Sequence, residues 1–290
     1  MESPGIGETW TRFWFAPADA RPLAVVRILA AALGLLLLWT YAGDLQAWFG
    51  PGGMVPRDVA AAWRPPFGFS FFDFATTPAS LQALFGATAV AFVALLIGIG
   101  SWIAAPVSAV LWASLLHRGP MLVGPADDCL AVLLWCLVVG PCGRDLSVDH
   151  WLAGRAGGGP PRPSTRARVS LGLLQVYAVT ITVAAILAQL RGDVWWDGTA
   201  AWSLAVRASR VVDLTPLYGR SEYLMNLVTH AIVGFEVVFA VGLWFAATQR
   251  TVARMGLLAW PLVGVLAGEP LWGLSMGIFA VPLAEVWRRR

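Results

Sequence analysis

"FAPADARPLAVVRILAAALGLLLL", residues 15–38, decides the fold. Once past Pro22 the stretch is apolar on every side, and the run continues from Leu23 to Ala42 with Arg27 as its only charge. About 20 such residues are what a helix needs to cross the hydrocarbon of a bilayer. The rest of the chain agrees. It has 290 residues, 58% of them hydrophobic and 13% charged, with a mean hydropathy of +0.69. A soluble domain carries about 25% charged residues, so most of this surface must face lipid. The sequence predicts an all-α, polytopic transmembrane helix bundle.

Seven further apolar windows follow, making eight expected spans. They cover roughly 81–103 and 107–116, with a turn near Pro106, then 129–140, 169–190, 224–247, 252–266 and 271–286. The third, fourth and seventh are short, as tilted or re-entrant pieces are. With the N-terminus inside, twelve arginines fall on cytoplasmic segments and seven on outer loops, and Arg27 stays within a span. The positive-inside bias therefore puts both termini in the cytoplasm of a multi-pass protein of the plasma (inner) membrane. Residues 1–22 contain acids and four aromatics but no short hydrophobic core before a cleavage site, so they read as an interfacial amphipathic segment. Residues 23–290 form the transmembrane domain. Its Gly/Pro-rich linker, residues 151–168, separates four spans from four.

All 20 basic residues are arginine, so no reaction that needs a lysine amine is available to this chain. Cys129, Cys136 and Cys142 cluster in one apolar stretch without metal-ligand spacing, and no metal is expected. The linker arginines are spread by Gly and Pro beside a membrane. Membrane lipid, not nucleic acid, is the expected partner.

Polar residues inside spans are costly, and they mark what the chain maintains at depth. Arg27 either snorkels to the inner surface or forms a buried ion pair, with Glu236 and Asp127 as candidate acids. In the sixth span Asn226, Thr229, His230 and Glu236 fall within about one third of a helix turned at about 100° per residue. That stripe must face protein or a wet cavity. It reads as a structural hydrogen-bond network or as a ligand or proton-handling site, with His230, Glu236 and His117 the candidate catalytic side chains.

Six stretches in order resemble one family: the aromatic-Pro entry with its embedded Arg27, "WFGPGGMVPRD" (48–58), "HRGPMLVGPADDCLAVLLW" (117–135), "GRDLSVD" (143–149), "WWDGTA" (195–200) and "FEVVFAVGLWF" (235–245). Together they resemble the HTTM group, bacterial membrane relatives of the vitamin K-dependent gamma-carboxylase. The group also includes the membrane component of the sporulation-delaying toxin system. In the carboxylases a lysine just before the Trp turn deprotonates the vitamin K hydroquinone. The matching position here is Gln189, or Leu190 or Arg191 if the register slips. Neither an amide nor a permanently charged guanidinium can take that proton. The carboxylases also continue into a large lumenal domain, whereas this chain is expected to stop after its last span.

The resemblance therefore implies a member that does not carboxylate. The first expectation is a non-carboxylating membrane enzyme or a binder of a quinone-type lipid, with Arg27, Gln189, Arg191, Trp195 and Trp196 as candidate binding residues. The alternatives are an accessory protein for maturation or export of a secreted peptide or toxin, its peptide partner encoded nearby, and a small-solute carrier. Against the carrier, no pair of broken helices recurs in the two halves.

Overall fold

The computed structural model describes residues 5–50, 52–66, 68–157 and 159–284. The terminal arginines 288–290 and the end of the eighth expected span, 285–286, lie outside the described residues. The fold is all-helical: among the described residues the only β-type pairing is an isolated bridge between Ala18 and Ser164. The chain divides into two compact units, Met1–Leu171 and Gly172–Arg290.

The first unit opens with α1 (Ile6–Phe15), amphipathic as expected, with Trp10 and Phe15 exposed. The long helix α2 (Arg21–Ala42) follows, then two short helices, α3 (Leu45–Phe49) and α4 (Arg57–Trp63), and a 3-10 turn at Phe71–Phe74. Next come α5 (Pro78–Ile97), α6 (Ser101–Arg118), α7 (Pro125–Val139) and α8 (Val148–Arg155). Helix α2 packs on α5 and α7, and α6 packs on the same two.

Local chemistry sets these boundaries. Thr77 and Ser80 form a capping box ahead of Pro78, which suits the first turn because it lacks an N–H. Helix α5 stops at Gly98, whose left-handed φ of 73° returns its N–H to the Ala94 carbonyl. The expected turn near Pro106 is thus corrected. The chain reverses at Gly98–Gly100, where two glycines take positive φ, and Pro106 sits inside α6. The fourth span likewise begins earlier than expected, at Pro125, because Asp127 accepts the Gly124 N–H at 2.7 Å and caps the helix.

The linker is more ordered than its composition predicts. Ser147 caps α8 through the His150 N–H, and the Ser164 hydroxyl accepts from Ala167 at the start of α9 (Thr165–Gln189). Among the linker's described residues, only those between Arg155 and Thr165, about half of its length, are irregular.

The second unit begins within the first turns of α9 and continues through three short helices, α10 (Asp193–Trp196), α11 (Ala200–Ala205) and α12 (Thr215–Tyr218). Three helices complete it: α13 (Glu222–Gly242), α14 (Gln249–Ala267) and α15 (Pro270–Ala280). The last two form a tight hairpin in which Gly264 and Gly273 let the backbones touch. A Cβ on Gly264 would lie 2.7 Å from the Gly273 Cα. Trp260 fills the space beside them, ringed edge-on by Phe235, Phe239 and Trp272 at 5.2–5.6 Å.

Among the described residues five helices are long and apolar enough to cross a membrane: α2, α5, α9, α13 and α14. Their outer faces expose large apolar side chains, among them Trp39 and Leu258, both 79% accessible. Such surface is stable against hydrocarbon and unstable against water.

Candidate functional site

Arg27 is completely buried, and among the described residues no salt bridge joins it to Asp127, one of the two expected acids. Its Nη1 donates to the carbonyls of Leu95 and Leu96, and its Nη2 donates to Leu146 at 2.7 Å. The first two belong to the last turn of α5, whose carbonyls have no partner within the helix. Arg27 therefore acts as the C-cap of a neighbouring helix. Of the two acids, Asp127 caps its own helix and accepts from the Tyr41 hydroxyl at 3.0 Å.

His117, also in the first unit, has a comparable structural task. Its Nδ1 is 2.8 Å from the Phe69 carbonyl, and its own carbonyl accepts from Arg64, which forks onto Asp73 at 2.6 and 2.8 Å. That contact ties the Nδ1 side of the ring to the loop at Phe69.

The second unit gathers the remaining candidates. Apart from Asp197, which folds "DGT" into a turn, the Trp stretch is anchored by α13. Asp197 accepts from both the amide and the hydroxyl of Thr199, at 2.9 and 2.6 Å. The hydroxyl and amide of Thr199 hold the Asp197 carboxyl below the usual carboxylate range. Gly198 takes φ 81° and lies flat against the sixth-span stripe, where an added Cβ would collide with the Asn226 side chain and crowd His230. Thr229 then makes two links to this turn: its hydroxyl donates to the Gly198 carbonyl at 2.8 Å and accepts the Ala201 N–H at 3.0 Å. Of the four stripe residues, Thr229 thus bonds the turn, while Asn226 and His230 lie beside Gly198 and engage carbonyls of their own helix.

Glu236, the fourth, is different. It is buried, and its carboxyl faces the Gln189 side chain at the end of α9. Glu236 Oε2 and Gln189 Oε1 remain buried without a hydrogen-bond partner among the described residues. A buried polar atom left in this state costs about 1–3 kcal/mol unless a donor reaches it.

His230 and Glu236, candidates on one stripe, take different partners. The His230 Nδ1 engages the Asn226 carbonyl at 2.8 Å on an exposed surface, while Glu236 meets Gln189. Arg191 is exposed just beyond, and Trp196, also exposed, donates its indole N–H to the Leu190 carbonyl at 2.9 Å. Trp195 is half-buried beside Gly192. These two tryptophans frame the helix end as interfacial anchors do.

The sequence brought Gln189 and Glu236 forward separately and did not connect them. Another polar link passed unnoticed: buried Gln175 donates to the Leu243 carbonyl at 2.9 Å and accepts from Gln249 at 3.1 Å. A lone amide in the fifth span was the available signal. Among the described residues no three His, Cys, Asp or Glu side chains converge as a metal site. Comparison with protein-family profiles, with curated proteins and with solved structures finds no match to the chain.

Proposed function

We propose that this chain is an eight-span, HTTM-type protein of the plasma membrane whose second unit binds a lipophilic molecule with a hydroxyl-bearing head. The observation that carries the binding site is the Gln189–Glu236 pair with its two leftover acceptor oxygens. Acceptors require donors. The hydroxyls of a quinol supply two of them, whereas the carbonyls of the oxidised quinone supply none. The reduced head is therefore the better complement, and the apolar helices around it suit an apolar tail.

What supports the family is the order of the six stretches; at the position of the carboxylases' catalytic lysine stands Gln189, or Leu190 or Arg191 if the register slips. The Gln189 amide can orient a hydroxyl but cannot remove its proton, and no lysine exists elsewhere to do so. The protein accordingly binds without carboxylating. Purified protein given reduced vitamin K, labelled bicarbonate and a glutamate-containing peptide incorporates no label above a no-protein control.

The direct test of binding is extraction of the detergent-purified protein, followed by mass spectrometry of what co-purifies. A hydroxyl-headed lipophile retained by the parent and lost from Glu236→Ala and Gln189→Leu is expected. Identical extracts from all three proteins, containing bulk phospholipid alone, overturn the site.

A further inference from the structure

The inner end of the first unit holds a second site, independent of the one above. Between the start of α6, the end of α7 and the α8–α9 linker runs a groove made of two adjoining cavities of about 320 and 530 Å3. Both are lined by Gly143, Arg144 and Asp149. Arg166 lines the smaller one and Arg162 the larger. The volumes fall in the range of about 300–1,000 Å3 typical of small-molecule sites.

Its charges are not balanced from within. Asp149 is the one acid in the lining, and its two oxygens accept the Gly100 and Ser101 amides, each at 2.8 Å. It is thus committed to holding the α5–α6 turn. Arg166 is steadied by its Nε, which donates to the Val139 carbonyl at 3.1 Å and leaves both terminal nitrogens for another acceptor. No hydrogen bond or ion pair engages the Arg144 and Arg162 guanidiniums among the described residues. Planar guanidiniums gathered in this way recognise phosphate oxygens in a fork.

The other wall of the smaller cavity is apolar. Trp102, Pro106, Leu137 and Val138 form it, and Trp102 is 81% accessible. This wall runs along α6 and α7 toward the membrane interior, so the groove is amphipathic: a cationic mouth continues into an apolar flank.

We propose that the groove binds one anionic phospholipid, its phosphate on Arg144 and Arg166 and its acyl chain along α6 and α7. Arg162 extends the reach to the rest of the headgroup. A freely soluble phosphate compound matches the arginines but has nothing to place on the apolar wall. The lipid satisfies both halves, and the arginine bias puts this end on the cytoplasmic leaflet, where anionic lipids face basic segments.

The test uses the full chain in detergent micelles doped with phosphatidylglycerol or, in parallel, phosphatidylcholine, with binding read by native mass spectrometry. One phosphatidylglycerol should survive activation, while phosphatidylcholine should not. Arg144→Gln and Arg166→Gln should each weaken retention on the order of tenfold, as loss of a charge-assisted hydrogen bond does. Arg162→Gln, on the exposed linker, provides a variant whose folding is not in question and should weaken retention as well. A control with Arg12→Gln and Arg155→Gln removes two charges outside the groove and should bind like the parent. Equal loss in that control reduces the effect to net charge and overturns the site. Displacement of the lipid by equimolar glycerol phosphate overturns the lipid assignment, because the apolar wall then contributes nothing.

Discussion

Replacing Arg27 with methionine tests the central claim about the first unit, that a buried charge is retained as a helix cap. The substitution keeps most of the side-chain volume and removes every donor. It leaves the carbonyls of Leu95, Leu96 and Leu146 without the partner that the structure gives them. Each orphaned buried acceptor costs about 1–3 kcal/mol. Against that, the variant no longer buries a guanidinium, whose desolvation penalty is several kcal/mol. The acceptor losses win because two of the carbonyls end a helix that cannot satisfy them internally. A net loss of about 3 kcal/mol is expected, which lowers the melting temperature by about 6–12 °C at the sensitivity typical of domains approaching this size. Tryptophan fluorescence during heating of the detergent-purified protein reads this directly. Arg27→Lys should fall between the two, since one ammonium cannot fork to three carbonyls on different segments. If the methionine variant melts at or above the parent temperature, the cap is not what keeps Arg27 in the membrane.

Gly198→Ala should destabilise the Trp turn by about 1–2 kcal/mol from backbone strain alone. Asn226→Ala in the same background should recover the part due to collision but not the strain, as two melting curves would show. Asp149 gives a pH effect with a defined sign. Burial works to raise its pKa, but the Ser101 and Gly100 amides and the Arg27 charge overcome it, so the group lies below the ordinary value of 3.8. Its contribution to stability is therefore complete above that value and is lost as pH falls through the folded-state pKa. Asp149→Asn should flatten the acid limb of the melting-temperature profile, and an unchanged limb would count against the contact. For topology, reporter fusions at Arg162 and after Arg290 should both report the cytoplasm, and an external signal from either reverses the orientation.

The helices were legible because an apolar run in this chain admits few other readings. Leu23–Ala42 and Val169–Leu190 reappear as α2 and α9 within a few residues. Turns were less legible. Proline at 106 looked like the breaker, yet Gly98 and Gly100 reverse the chain, because only the absence of a Cβ permits the left-handed backbone beside Arg27 and Ser147. Hydrogen-bond partners were the least legible. A sequence shows that Arg27 needs acceptors but not that backbone carbonyls from two distant segments provide them. The stripe on α13 was visible by its angles. That Thr229 anchors a glycine turn, while Glu236 meets an amide on α9, depends on how the helices are set together.

The Arg27 cap also has a consequence for biosynthesis. Its acceptors lie 68, 69 and 119 residues further along the chain. At about 5–20 residues per second, the ribosome makes the last of them several seconds or more after Arg27 itself. During that interval α2 is a membrane helix with an uncompensated charge, which favours holding it at the insertion machinery rather than releasing it into lipid. The first span then becomes the last of its group to settle, and insertion of the first unit proceeds as one delayed event rather than helix by helix.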